Sequence, residues 1–425
     1  MTRKKIIGIG IIVIALLLGG AYVRYLQTNT LTLGMYVGSS WGVYENDGYQ
    51  TLGAAIELFE QQTGIKVKYE SGIRNEDYST WLAQKIVSGK APDVMIVLPD
   101  DFNFLASIGA FVDVNDLLNE EEKEQYYRTS LLAGNYEGVQ YALPFESNPM
   151  LMCVNQDILE KEGIRIPDKW SVKDFYDICQ KVTKDTNGDG IIDQFGCYNY
   201  TWENALDSYG LSVFNSLGTI CNINSDEHKE AIGYVQKLMN LNEGYQVSSK
   251  DFDAGKVTFR PMSMAEYRTY APYPYRISKY ADFNWHCIPM PSGNNTEYFT
   301  SCDTALIAVY TKSNNKEAAK KFIKLLSSDS SLQQQMFVDS SGVTVLKPIL
   351  TSEASRSMLA DEFEDDISVD TLDYIMEHTI NEYKFKNKGA MSELADYLVT
   401  QALASDELDS QLNQIKNELE TKLKE

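Results

Sequence analysis

A chain of 425 residues exceeds what one compact hydrophobic core usually holds, so two domains are the default expectation. Its apolar share of 44% and charged share of 23% are those of an ordinary globular protein. With 60 acidic against 38 basic side chains the formal charge is −22, and a surface that acidic repels phosphate backbones and anionic lipid, which disfavours nucleic-acid binding.

At the N-terminus, Arg3, Lys4 and Lys5 precede an uncharged, largely apolar run over residues 6–23. That length is near the ~20 residues that span a bilayer. Basic residues ahead of the run predict that the chain starts inside and that everything after it lies outside. The length of the run and the flanking Arg24 favour a retained anchor over a signal peptide cleaved near Gly19, Gly20 and Ala21. Residues 1–30 are then a signal anchor or signal peptide plus a linker.

Residues 31–37 (LTLGMYV) alternate and predict a first strand. The loop over 38–46 is rich in small and aromatic residues. A helix follows, with Leu52, Ala55, Ile56 and Phe59 on one face, and stops at Gly64. Residues 65–69 are strand-like, 77–87 are helical, and 94–98 form an apolar strand after Ala91-Pro92-Asp93. Strands alternating with helices mean βαβ units and a mostly parallel sheet with right-handed crossovers. Ligands in such sheets bind beyond the carboxyl ends of the strands, which singles out the loops 38–41, 71–75 and 99–101.

The stretch 141–196 organises the rest. It opens with an apolar run broken by Pro144 and Pro149, continues into a helix over 156–162, turns at Gly163 and Pro167, and starts a second helix at Trp170-Ser171. It ends in Asp185-Thr-Asn187-Gly-Asp189-Gly190-Ile191-Ile-Asp193. An EF-hand loop supplies oxygens at positions 1, 3, 5, 7 and 9, with glycine at 6. Asp185, Asn187, Asp189, the Ile191 carbonyl and Asp193 fit those positions, and Gly190 fits the sixth. Gly196 stands where the bidentate Glu of position 12 belongs. The loop thus reads either as a structural Ca2+ site completed from elsewhere or as an Asx-rich turn that caps itself.

Beyond it, 226–241 is an amphipathic helix with Ala231, Val235, Leu238 and Met239 on one face. The segment 252–259 leads into an aromatic-rich run, PMSMAEYRTYAPYPYR, and then into Phe283-Asn-Trp285 and IPMPSG over 288–293. Residues 301–310 read as a strand. A helix over 316–326 follows, then one containing Gln333, Gln334 and Gln335. The tail holds Leu408, Leu412, Ile415 and Leu419 at helical spacing, as a helix that caps a lobe would.

This ordered series (TGIKVKYESG, GKAPDVMIVLPDD, ALPFESNP…VNQDILEKEGI…P, F-D-A-G-K-V-T-F, IPMPSG, SGVTVLKP) resembles the extracellular solute-binding proteins of ABC transporters, family 1. The resemblance is to the carbohydrate-binding, maltose-binding-protein-like branch, and it covers almost the whole chain after residue 30. It implies an α/β, two-lobed periplasmic-binding-protein-like (type II) fold with a hinge. Lobe one would comprise 31–145 and 300–341, and lobe two 148–295 and 347–425, with crossings near 141–149, 290–300 and 341–348. It further implies a monomer that binds a sugar or oligosaccharide between the lobes and delivers it to permease subunits, and calcium in loops similar to 185–193.

Sugar recognition needs aromatic rings over the C–H faces of a pyranose and polar side chains for its hydroxyls. On that chemistry and the resemblance, the candidates are Tyr36, Trp41, Asp100, Asp101, Glu146, Asn148, Trp202, Glu266, Tyr267, Arg268 and Trp285. Each has a plainer role open to it: a lone Trp packs in a core, and Asp100-Asp101 cap a helix. Catalysis finds little support, because His228, His286 and His378 have no metal-ligand spacing and no P-loop occurs. A surface carbohydrate-acting enzyme, or a sensory or scaffold module that kept the receptor fold, remains the alternative. Six cysteines are scattered without a Cys-x-x-Cys. An external location permits disulfides, yet the sequence selects no pairing and buried thiols serve equally well.

Overall fold

The computed structural model describes residues 29–36, 50–70, 73–270, 283–293, 297–340, 342–363 and 367–425. The apolar run 6–23 and Trp41 lie outside them. Among the described residues no helix is long and apolar enough to cross a membrane.

The chain begins as the alternation predicts. Strand β1 (Thr30–Gly34) lies between β2 (Lys66–Tyr69) and β3 (Val94–Val97), parallel to both. The helices Gln50–Thr63 and Asn75–Val87 make the crossovers. Gly64 ends the first of these with φ 71°, a conformation that a side chain resists. After a short hairpin of β4 (Asn135–Tyr136) and β5 (Val139–Gln140) comes the longest strand, β6 (Ala142–Asn155). Then follow β7 (Phe195–Cys197), β8 (Val257–Ser263), β9 (Trp285–Ile288) and β10 (Cys302–Val309). The main sheet runs β2-β1-β3-β10-β6-β8-β7, with β9 also on β6.

Strand β6 belongs to two bodies. Its first half pairs antiparallel with β10, from Ala142 opposite Ala308 to Pro149 opposite Cys302. Its second half pairs with β8 and β9, from Met150 opposite Ser263 to Asn155 opposite Trp285. Its two prolines sit at irregular points of the ladder: Pro144 beside the register shift between Ala305 and Leu306, and Pro149 where the pairing with β10 ends. The cores divide at the same place. One gathers Leu31, Val94, Ile96, Leu143, Phe145, Ile307 and Phe322. The others gather Met152, Val154, Phe175, Phe259 and Leu412, and Leu151, Cys153, Met262 and Tyr267. The molecule is therefore a two-lobed α/β protein.

Three chain segments meet at Ser147. Its backbone exchanges hydrogen bonds with Val343 (2.8 and 2.7 Å), and it faces Thr304 of β10 in the strand register. The tail helix Leu408–Lys422 buries Leu408, Leu412, Ile415 and Leu419 in the second core. Its apolar stripe is spent on its own lobe.

Candidate functional site

A cavity of about 420 Å³ opens where the two cores face each other. One wall is the helix Pro99–Ser107, which starts directly after β3 and presents Asp100 and Asn103. This is the position that the carboxyl-end rule selects. The opposite wall is the helix Trp202–Ser208, presenting Trp202, Glu203 and Asp207. A capping box between Thr201 and Asn204 fixes where that helix begins and so aims its first turn. The start of β10 contributes Ser301 and Asp303, and the segment 380–388 closes the side with Lys384 and Lys388.

The electrostatics are dominated by carboxylates held between two low-dielectric bodies. Burial pushes Asp207 up to about 7, Glu203 adds to the rise, and a hydrogen bond with Ser301 opposes it. Burial likewise raises Glu203 to about 7, with Asp396 adding to the rise. Asp303 meets solvent in the open cleft yet lies deep between the lobes, so burial raises it and the Asp100 charge adds to that. Lys388 is drawn down by burial against the pull of Asp100, Asp207 and Asp303, and it forms an ion pair with Glu382. Lys384, lowered to about 7 by burial, donates to the carbonyls of Leu132, Ala133 and Asn135 at the end of the helix Arg128–Ala133. The result is a carboxylate-rich recess with many acceptors, suited to a guest that brings hydroxyl or N–H donors.

Of the sequence-derived candidates, the structure brings Asp100 and Trp202 to this cavity. Trp202 is 4% exposed and its Nε1 donates to Asp396 (3.0 Å), so the indole is fixed with little of its surface free. Tyr36 lies two residues beyond β1, edge-on to Tyr78 with ring centroids 5.3 Å apart. Its hydroxyl is pushed to about 12 by burial and by the charges of Glu146 and Asp303.

The other candidates take structural positions. Asp101 accepts from Ser79 (2.5 Å) and ties two helices of the first lobe together. Glu146 is buried against the segment at Gly342, where a Cβ would collide with its carboxylate. Asn148 accepts from the Ala265 backbone N–H (2.8 Å) at the head of the helix Met264–Tyr270. Glu266 pairs with Arg260. Tyr267 is buried in a core and the half-buried Trp285 packs against it, with ring centroids 5.2 Å apart. Arg268 is buried and spent on backbone carbonyls.

Glu203, Asp207, Asp303 and Lys388 escaped the sequence reading. A signal existed for the first two, since Glu203 is adjacent to Trp202 and Asp207 lies one helical turn beyond Glu203. Nothing local marks Asp303 or Lys388, which reach the cleft through the returning chain.

The loop 185–193 lies on the surface, apart from the cleft. Asp185 accepts from the N–H groups of Asn187 (3.1 Å), Gly188 (2.7 Å) and Gly190 (2.6 Å), which hold its carboxyl below the ordinary range. Asp193 accepts from Thr186 N–H (2.8 Å) and Asn187 Nδ2 (3.1 Å), while the Asn187 and Asp189 side chains accept from residues two further on. Among the described residues no three His, Cys, Asp or Glu side chains converge as a metal cage. Gly196, at the twelfth position, is inside β7 and offers no carboxylate.

A family model for the bacterial extracellular solute-binding proteins matches residues 42–332. Among solved structures, an ABC substrate-binding protein from Listeria monocytogenes in complex with cycloalternan is 20% identical, with a TM-score of 0.69 over 93% of this chain and 99% of that one. The cyclic alpha-maltosyl-1,6-maltose binding protein from Arthrobacter globiformis is 16% identical, with a TM-score of 0.75 over 93% and 99%. The sugar-binding protein MalE from Xanthomonas citri is 13% identical, with a TM-score of 0.75 over 93% and 97%. At these identities the likeness shows the two-lobed fold. No curated protein matches the chain.

Proposed function

The chain belongs to the bacterial extracellular solute-binding proteins, and on that premise we propose that it is the receptor of an ABC importer, taking a sugar or oligosaccharide between its lobes. The observation that carries this reading is the cavity walled from both cores, with Asp100 on one side and Trp202, Glu203 and Asp207 on the other. A guest held there touches both walls only when they approach, so its binding energy shifts the hinge equilibrium toward closure. The closed form is what permease subunits recognise, and the guest leaves unaltered. Residues 1–30 hold the receptor, as a monomer, at the outer face of the membrane. The cycloalternan in the similar Listeria monocytogenes complex and the name of the similar maltosyl-maltose binding protein support a carbohydrate guest, as do the acceptor-rich walls.

Isothermal titration against a panel of neutral oligosaccharides tests this. Saturable binding of at least one glycan is expected, with small-angle scattering contracting on addition and the glycan recovered intact. A panel without a binder, or a glycan recovered cleaved, overturns it.

We also propose calcium at the loop 185–193. Its support is the run of oxygen side chains at the ligand positions and the turns at Gly188 and Gly190 (φ 81° and 86°). Lacking a bidentate carboxylate, the site would be weak, in the range of about 10⁻⁴–10⁻³ M typical of extracellular modules. Millimolar calcium should raise Tm, and Asp189→Ala should abolish the rise. An unchanged wild-type Tm removes the proposal.

A further inference from the structure

Cys153 and Cys287 lie directly opposite each other in the antiparallel register of β6 and β9. Opposed residues in such a ladder have Cα atoms about 4.5–5.5 Å apart, inside the roughly 4.4–6.8 Å over which a disulfide can close. Their sulfurs are 3.0 Å apart, nearer than two side chains that merely pack need to come. Both residues belong to the same core, 0% and 4% exposed. Of the possible pairings, which sequence left open, the sheet register selects this one.

We propose that Cys153 and Cys287 form a disulfide during folding outside the cytoplasm. The proposal rests on the extracytoplasmic placement of the family and on no assumption about the ligand. The oxidant is an external disulfide, either a small molecule such as oxidised glutathione or that of a thiol–disulfide oxidoreductase. One cysteine thiolate attacks it, forming a mixed disulfide and releasing one thiol. The second cysteine thiolate then displaces the other thiol, closing the sulfur–sulfur bond. The external disulfide is reduced to two thiols, which carry away the two protons that the cysteines lose. Because both sulfurs are buried once β9 has docked, exchange happens while the strands assemble, and the finished bond is shielded from reductant.

The bond would fasten two strands 134 residues apart in sequence. Strand β6 carries the chain across from the first lobe, and β9 lies just before the return. The cross-link therefore stiffens the second lobe beside the hinge while leaving the partner change at Pro149 and Met150 unconstrained. Stability should depend on it and ligand affinity should not.

The test is to fold the full chain with reduced and oxidised glutathione, block remaining thiols under denaturing conditions, digest without reductant and map the peptides by mass. Expected is a species linking the peptides of Cys153 and Cys287, lost on reduction, and a Tm roughly 5–10 °C lower for the reduced protein. Cys153→Ala/Cys287→Ala should lack that species. Recovery of both cysteines in blocked form, or of either joined to a different cysteine, overturns the proposal. The peptide map of the wild type decides even if the double variant fails to fold. A glycan titration that fails leaves the map unaffected, so the two readings fall separately.

Discussion

Arg268→Ala is expected to cost about 3–5 kcal/mol in urea unfolding, the order found when one partner of a buried ion pair is removed. Arg268 is 5% exposed, and its guanidinium donates to the carbonyls of Phe337 (2.7 Å), Ser340 (2.7 Å) and Gly342 (3.1 Å). It also donates to the Glu362 carboxylate (2.9 Å) and lies over the Phe337 ring, 4.9 Å from its centroid. Truncation leaves several acceptors and a half-buried negative charge without their donor, each carrying its own desolvation cost. For lobes of this size the loss corresponds to a fall in Tm of roughly 6–20 °C. Arg268→Lys should recover less than half of it, because an ammonium cannot span the fan of acceptors that the planar fork reaches. A cost below about 1 kcal/mol would mean that the carbonyls find water instead.

The same residue shows where sequence reasoning stops. A run of Glu266, Tyr267 and Arg268 after a strand has the composition of a sugar-binding surface. Composition does not say which way the helix Met264–Tyr270 turns. In the fold that helix is pressed between β6 and the returning segment 337–362, so the aromatic ring is consumed by a core and the charge by main-chain carbonyls. Asp100 was legible because a general rule about parallel sheets locates it, whatever the rest of the chain does. The β1-β2-β3 unit was legible for a similar reason, since period-2 and period-3.6 patterns are local. Asp303 and Lys388 obey no local pattern. They come to the cleft because β10 and the tail return across the divide, and such long-range closure leaves no mark on neighbouring residues.

Asp207→Ala is expected to weaken glycan binding by about 1.5–3 kcal/mol, roughly ten- to a hundredfold, as loss of a charged hydrogen-bond acceptor does. The pH dependence tells this from a loss of shape. In the free protein burial holds the Asp207 and Glu203 carboxyls up to about 7, above their unfolded range. Protons are therefore bound more tightly in the folded state, so the stabilisation these two groups lend is fully present at acid pH. It is lost as pH rises from the ordinary carboxylate range through about 7. Ligand binding has the opposite sign. A sugar hydroxyl donates to an ionised carboxylate, so the guest favours the form that burial disfavours, and its affinity should rise with pH up to about 7. Between pH 5.5 and 7.5 the wild-type Kd should tighten about tenfold while the ligand-free Tm falls. Asp207→Asn keeps the size of the side chain but has nothing to ionise, so both slopes should flatten. Parallel slopes in Tm and affinity, or an Asp207→Asn protein as pH-sensitive as wild type, would place the acceptor elsewhere in the cleft.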